Sequence, residues 1–154
     1  MSKKLIAIVV LTLTLLTSSR YVTPRDGREG YQAPTMQLSN ASTSLSLQEF
    51  KGDYVIVTFW SSAEPTSRLA NKQLEKLAEA KGFRHIAVNL DRSEGLFQQL
   101  VAADGLNPSL QFHIDSNEQE HLLASWRQRP GALSSFLIDP QGRIVRENPT
   151  AADF

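Results

Sequence analysis

Positions 54–59 are apolar except for Thr58. A run this short and β-branched marks a strand buried on both faces, as in a parallel sheet covered by helices. A polar turn containing Pro65 follows, and then the period changes. Leu69, Leu74, Leu77 and Ala78 form one apolar stripe, while Arg68, Lys72, Glu75, Lys76 and Glu79 share a wet face. This predicts an amphipathic helix that starts at Thr66 or Ser67 and stops at Gly82. A second strand is expected over 83–90. Asp91 and Glu94 are spaced as a capping box for a helix carrying Leu96, Phe97, Leu100 and Val101, closed by Gly105.

After the Asn107-Pro108 loop, 110–114 reads as a short extended piece. Ser116 and Gln119 again fit a capping box, opening a helix through Leu122, Leu123 and Trp126 that Arg129-Pro130-Gly131 breaks. Two strands, 134–139 and 143–146, flank Pro140-Gln141-Gly142 as a hairpin. Upstream, 35–38 and 44–47 alternate polar with apolar around a Ser/Asn-rich link, the pattern of a short exposed hairpin. The order implies an α/β fold with a central mixed sheet flanked by helices. Asn148-Pro149-Thr150 resembles a helix N-cap, but the four residues after it are too few for a stable helix. The C-terminal helix is therefore expected to be truncated, leaving apolar surface uncovered.

Composition adds a compartment. Lys3 and Lys4 precede an apolar stretch, 5–16, interrupted by Thr12 and Thr14, and the small residues Thr17-Ser18-Ser19 follow. This is the pattern of a cleaved export signal, and it is shorter than the roughly 20 apolar residues a membrane span needs. Residues 1–19 are read as a signal peptide, 20–33 as a linker and 34–154 as the folded domain, with membrane contact only transient, through the signal segment. The 154 residues are 41% hydrophobic and 21% charged, with a formal net charge of +0. That balance gives no basic field for nucleic acid. With no cysteine in the chain, lipoprotein attachment, disulfide stapling and thiol chemistry are all unavailable, and a packed core must stabilise the fold. The protein is expected to be exported, to the periplasm or cell envelope.

The candidate chemistry lies in the turn between the first buried strand and its helix, where free backbone N–H groups and a positive dipole end meet. Glu64, Thr66 and Ser67 read there either as helix caps or as a binding surface. A carboxylate beside the dipole is worth roughly 0.3–1 kcal/mol. His113 and Asp115 alternate on one extended segment and His121 follows on a helix, a set chemically suited to zinc but without motif spacing. They are read as polar surface, and no metal or cofactor is assigned. Trp126 is assigned to the core. No nucleophile elbow or phosphate loop is present.

Two stretches carry a family resemblance. Leu45-Ser46-Leu47-Gln48-Glu49-Phe50-Lys51-Gly52 through Phe59-Trp60-Ser61-Ser62, and Ser135-Phe136-Leu137-Ile138-Asp139-Pro140-Gln141-Gly142-Arg143-Ile144-Val145, resemble extracytoplasmic thioredoxin-like proteins, the thiol-disulfide oxidoreductase and peroxiredoxin-related domains. The resemblance covers about 33–150 and implies a thioredoxin-like fold. Aligned on Phe59-Trp60, the two redox cysteines of active members fall on Glu64 and Ser67, and the proline that faces them falls on Leu133. Pro65 and Arg68 match the family. The resemblance thus implies a cysteine-less member without dithiol activity, serving as a binding or accessory module. Its groove would be lined by Trp60, Ala63, Glu64, Pro65, Thr66, Ala132 and Leu133, with Trp60 at the edge, and would take an extended peptide or an envelope protein. The competing readings are a redox enzyme like its relatives and a structural part of an envelope assembly.

Overall fold

The computed structural model describes residues 24–154; the expected signal peptide, 1–19, lies outside them. The buried run forms strand β3 (Val55–Trp60), all six of whose residues are buried. Its neighbours are β4 (Arg84–Asn89), parallel, and β6 (Ser135–Ile138), antiparallel. Short outer strands β5 (Gln111–His113) and β7 (Ile144–Glu147) complete a five-stranded sheet in the order β5-β4-β3-β6-β7. A separate hairpin, β1 (Gln37–Ser39) with β2 (Ser44–Ser46), pairs Leu38 with Leu45.

Strand alternation assigns the two faces. Val55, Val57 and Phe59 point to one side, where Met36, Leu38, Leu45 and Leu47 of the hairpin region meet them together with Phe112, Trp126 and Phe136. The hairpin is therefore exposed on one face only: its alternate positions close the core. Ile56 and Trp60 point to the opposite side. There, helix α1 (Pro65–Lys81) lays Leu74 and Ala78 on Ile56 and Leu137, and helix α2 (Glu94–Ala103) lays Phe97 and Val101 on Trp60 and Ala87. Helix α3 (Ser116–Ser125) contributes Leu122 to the first face.

A polar seam separates the two apolar clusters beneath α1. Thr58, Asn71 and Gln111 are buried, as is His85. Asn71 donates to Gln111 at 3.0 Å, Gln111 donates to Glu75 at 2.9 Å, and Thr58 Oγ1 lies 3.2 Å from His85 Nε2. Burial pushes the Glu75 carboxyl up, but the facing His85, the Asn107 backbone N–H and Gln111 pull it further down, so it sits below the ordinary carboxylate range.

Several helix ends differ from expectation. Pro65 occupies the first turn of α1, where its missing N–H costs nothing, so the helix starts one residue earlier. Gly82 ends it in the left-handed conformation, φ 70°. The N-cap of α2 is Ser93, whose hydroxyl accepts from Leu96 N–H at 3.2 Å; Asp91 is turned to other partners. Asp115 precedes α3 without a side-chain cap, and Gln119 instead donates to the Ile114 carbonyl at 2.8 Å. At Asp91, donors from the turn after β3 outcompete the local box.

The segment expected as a linker is packed from residue 25 onward. Gln32 bridges Arg143 next to β7, Gly30 N–H donates to the Ile144 carbonyl at 2.8 Å, and Ile144 N–H donates to the Tyr31 carbonyl at 3.0 Å. Asp26 forms a bidentate pair with Arg127, at 2.6 and 3.1 Å. Gly27 is so close to Trp126 that a Cβ there would lie 2.5 Å from its backbone. These residues cover the outer edge of β7, which would otherwise offer unpaired backbone groups. The last residues make a 3-10 turn (Ala151–Asp153) with a Thr150/Asp153 capping box in place of a helix. Phe154 packs on Phe83 at 5.5 Å, and Phe83 stacks on Tyr54 at 4.9 Å. A cleft lined by Ala70, Leu74, Leu77 and Pro149 remains on that side.

Candidate functional site

β3 ends at Trp60, and the chain must turn before α1. Asp91 organises that turn from the end of β4. Its carboxylate accepts from Ser61 Oγ at 2.7 Å, Ser62 N–H at 2.9 Å, Ser62 Oγ at 2.9 Å and Asn89 Nδ2 at 3.0 Å. Burial raises its proton affinity, but the bonds from Asn89, Ser61 and Ser62 outweigh that, and its pKa lies below the ordinary value. Sequence reasoning placed Asp91 in a helix cap and missed this role. The available signal was a pair of serines at one strand end and an aspartate at the end of another.

Ser67 is buried at 4% exposure, and its hydroxyl is engaged twice. It donates to the Glu64 carbonyl at 2.9 Å and accepts from Ser61 N–H at 3.2 Å. Among the described residues no imidazole or carboxylate is hydrogen-bonded to it, so it is a fastening of the turn and has no base to make it a nucleophile. At the next residue, Arg68 grips Asp104 bidentately at 2.7 and 2.8 Å, and Lys72 adds a contact at 3.2 Å. Arg68 above all, with Lys72, holds the Asp104 carboxyl below its ordinary range against the opposing effect of burial. The start of α1 is thereby tied to the end of α2.

Glu64 has the N-cap position of α1 but makes no side-chain cap bond. Its carboxylate crosses the turn and accepts from the backbone N–H of Gly131 and, at 3.0 Å, from that of Leu133. The capping role expected for Glu64 is thus replaced by a clasp between the α1 turn and the loop before β6. Two charge-assisted bonds compete successfully with one local cap and a dipole contact. The loop is shaped to receive it: Gly131 adopts φ 87°, and Ala132 N–H donates to the Arg129 carbonyl at 3.0 Å. Among the described residues no peptide bond is cis, that of Leu133 included.

Of the expected groove residues, Ala63, Pro65, Thr66 and Ala132 are exposed along this turn and loop, and Glu64 lies between them. Leu133 contributes its backbone there, while its half-buried side chain packs on the first core cluster. Trp60 does not line the groove. It is fully buried at 0% exposure, 6.1 Å from the Phe97 ring, because the alternation aims it to the same sheet face as Ile56, where α2 covers it. Trp126 is in the core, as expected, with Phe59 at 5.5 Å and Phe136 at 5.3 Å. His113 Nε2 bonds the Asp91 carbonyl at 2.7 Å. The structure does not gather His113, Asp115 and His121 into a ligand set; among the described residues no three metal-binding side chains cluster.

Comparison with known proteins agrees with this architecture. The family model described as "AhpC/TSA family" matches residues 30–147. No curated protein is significantly similar. Among solved structures, the thioredoxin domain of a thiol-disulfide oxidoreductase from Bacteroides vulgatus is 28% identical, with a TM-score of 0.71 over 82% of this chain and 91% of that one. A thiol:disulfide interchange protein from Bacteroides sp. is 26% identical, with a TM-score of 0.67 over 82% of this chain and 84% of that one. A secreted thiol-disulfide isomerase from Corynebacterium glutamicum shares the fold at 18% identity, with a TM-score of 0.63 over 86% of this chain and 85% of that one. The five-stranded mixed sheet, its three helices and the family match together show that this chain belongs to the AhpC/TSA family, as a thioredoxin-like member without cysteine.

Proposed function

We propose that this protein is an exported, non-catalytic thioredoxin-like module that works by binding in the cell envelope. The observation that carries the reading is the Glu64 clasp. The residue standing at the first redox position is bonded to the backbone of the facing loop, and the chain has no cysteine to supply a thiolate. Ser67, at the second position, is buried and bonded within the turn. Carboxylate and hydroxyl have no disulfide couple, so dithiol exchange has no electron donor here.

The same clasp shapes the binding reading. An extended peptide that paired with the backbone N–H of Leu133 would have to displace Glu64. The exposed side chains of Ala63, Pro65, Thr66 and Ala132 form the accessible part of the surface. Partner recognition therefore rests on these side chains over a rigid turn, with the strand-like pairing of a bound peptide suppressed. Export is supported by the Lys3-Lys4 and 5–16 pattern. Among the described residues no helix is long and apolar enough to cross a membrane.

Two measurements test the reading. In an insulin-reduction assay the pure protein should match the buffer blank, and turnover above it overturns the non-catalytic assignment. A photo-cross-linking residue at Thr66 should capture a defined envelope partner in living cells, whereas one at Glu79, on the far end of α1, should not. Equal labelling from both positions overturns the assignment of the turn as the binding surface.

A further inference from the structure

A second concavity lies away from the Glu64 turn, between the β1–β2 connection and helix α2. Asn40 to Ser42 form one wall, Phe97, Val101 and Ala102 of α2 the other, and Leu106 and His113 contribute to its lining. Its volume is about 330 Å³, within the range of small-molecule sites. Its apolar part belongs to the core cluster of Trp60, Ala87, Phe97, Val101 and Leu106. The aromatic rings there form a row: Trp60 lies 6.1 Å from Phe97, and Phe97 lies 5.6 Å from the His113 ring at an interplanar angle of 33°. A flat ring entering the cleft meets the end of that row and the methyl groups of Val101 and Leu106.

The polar groups around it differ in what they leave for a ligand. Asn40 Nδ2 donates to the carbonyls of Pro108 and Gln111, both at 3.2 Å, and its Oδ1 accepts from Ser42 and Thr43. The Gln111 amide donates to Glu75 and Asn71 on the far side. His113 Nε2 lies 2.7 Å from the Asp91 carbonyl, which only accepts, so that nitrogen is engaged as a donor. Glu94 is the one fixed charge among the lining residues, and one of its oxygens takes a single bond from Gln98 at 3.3 Å. What the cleft offers is an apolar wall built on Phe97, Val101 and Leu106 with one exposed carboxylate, Glu94, beside it.

We propose that this cleft binds a small aromatic amine, its ring against Phe97 and Val101 and its protonated nitrogen on the Glu94 carboxylate. An anionic ligand with the same ring is disfavoured by Glu94, and a purely aliphatic amine lacks the stacking surface. The site is separate from the Glu64 turn and does not depend on that turn's function.

The test is a titration of the purified, isotope-labelled protein with 2-phenylethylamine, followed by NMR. Saturable shifts centred on Phe97, Val101 and His113 at low millimolar concentration are expected. Phenylacetate and butylamine should bind at least about tenfold more weakly, and Glu94→Gln, an exposed substitution, should weaken the amine by about tenfold without altering the fold. Ala102→Trp should block the cleft while leaving the β3 resonances in place. Absence of saturable shifts, equal binding of phenylacetate, or shifts that map to the Glu64 turn would each overturn the proposal.

Discussion

Replacing Glu64 with alanine removes both acceptors of the clasp and leaves the Gly131 and Leu133 N–H groups without their partner. A hydrogen bond to a charged group contributes roughly 1.5–3 kcal/mol net when well enclosed. Glu64 is half-buried and Gly131 is exposed, so water recovers part of the loss, above all at Gly131. Leu133 N–H is less accessible and carries most of the cost. A total of about 1–2 kcal/mol is expected. Glu64→Gln keeps one oxygen acceptor and should cost about half as much. Urea denaturation should show a lower midpoint with an unchanged slope, since the exposed area on unfolding is the same. Native-state hydrogen exchange localises the effect: Leu133 and Gly131 should lose protection, while β3 amides exchange faster only as far as global stability falls. An unchanged midpoint together with unchanged exchange at Leu133 would refute the clasp as a stabilising contact.

Three further outcomes follow from the packing. Gly27→Ala drives a Cβ into the Trp126 backbone, 2.5 Å away; a loss of about 1–3 kcal/mol in thermal melts is expected, and no loss would mean that residues 25–33 are not docked. Asp91→Ala leaves the donors of Ser61, Ser62 and Asn89 without their acceptor and should cost about 2–3 kcal/mol, with chemical-shift changes spreading through the 61–67 turn. Asp91, Asp104 and Glu75 all have folded pKa values below their ordinary ones. As pH falls from neutral, the unfolded chain therefore binds protons first, so stability is retained above the ordinary carboxylate range and is lost as pH falls through the folded values. Urea midpoints at a series of pH values between neutrality and pH ~3 should show this acid slope, and Asp104→Asn should flatten it; an identical slope in the variant would exclude Asp104 as a contributor.

The helices and central strands were legible because burial imposes a period on the residues themselves. β3 shows as an unbroken apolar run, α1 as a stripe, and the closing hairpin as Pro140-Gln141-Gly142 between apolar segments. The altered site was also legible, since Glu64, Ser67 and the missing cysteines can be read along the chain. The caps were less so. Asp91 and Glu94 satisfy the spacing of a box, yet Asp91 found four donors around one turn, and spacing carries no information about competitors brought from another strand. The polar segment 25–33 looked like a linker because edge pairing uses backbone groups, which every residue has and no side-chain pattern reports.

By itself, then, the chain determined its element order, its resemblance to thioredoxin-like proteins and the thiol chemistry it lacks, because these depend on residue type and local period. Tertiary structure alone decided where Glu64 points, which face Trp60 occupies and what Asp91 holds. Those are choices among partners 29 to 69 residues apart in the chain for the turn contacts, made by whichever donors the folded sheet brings within about 3 Å.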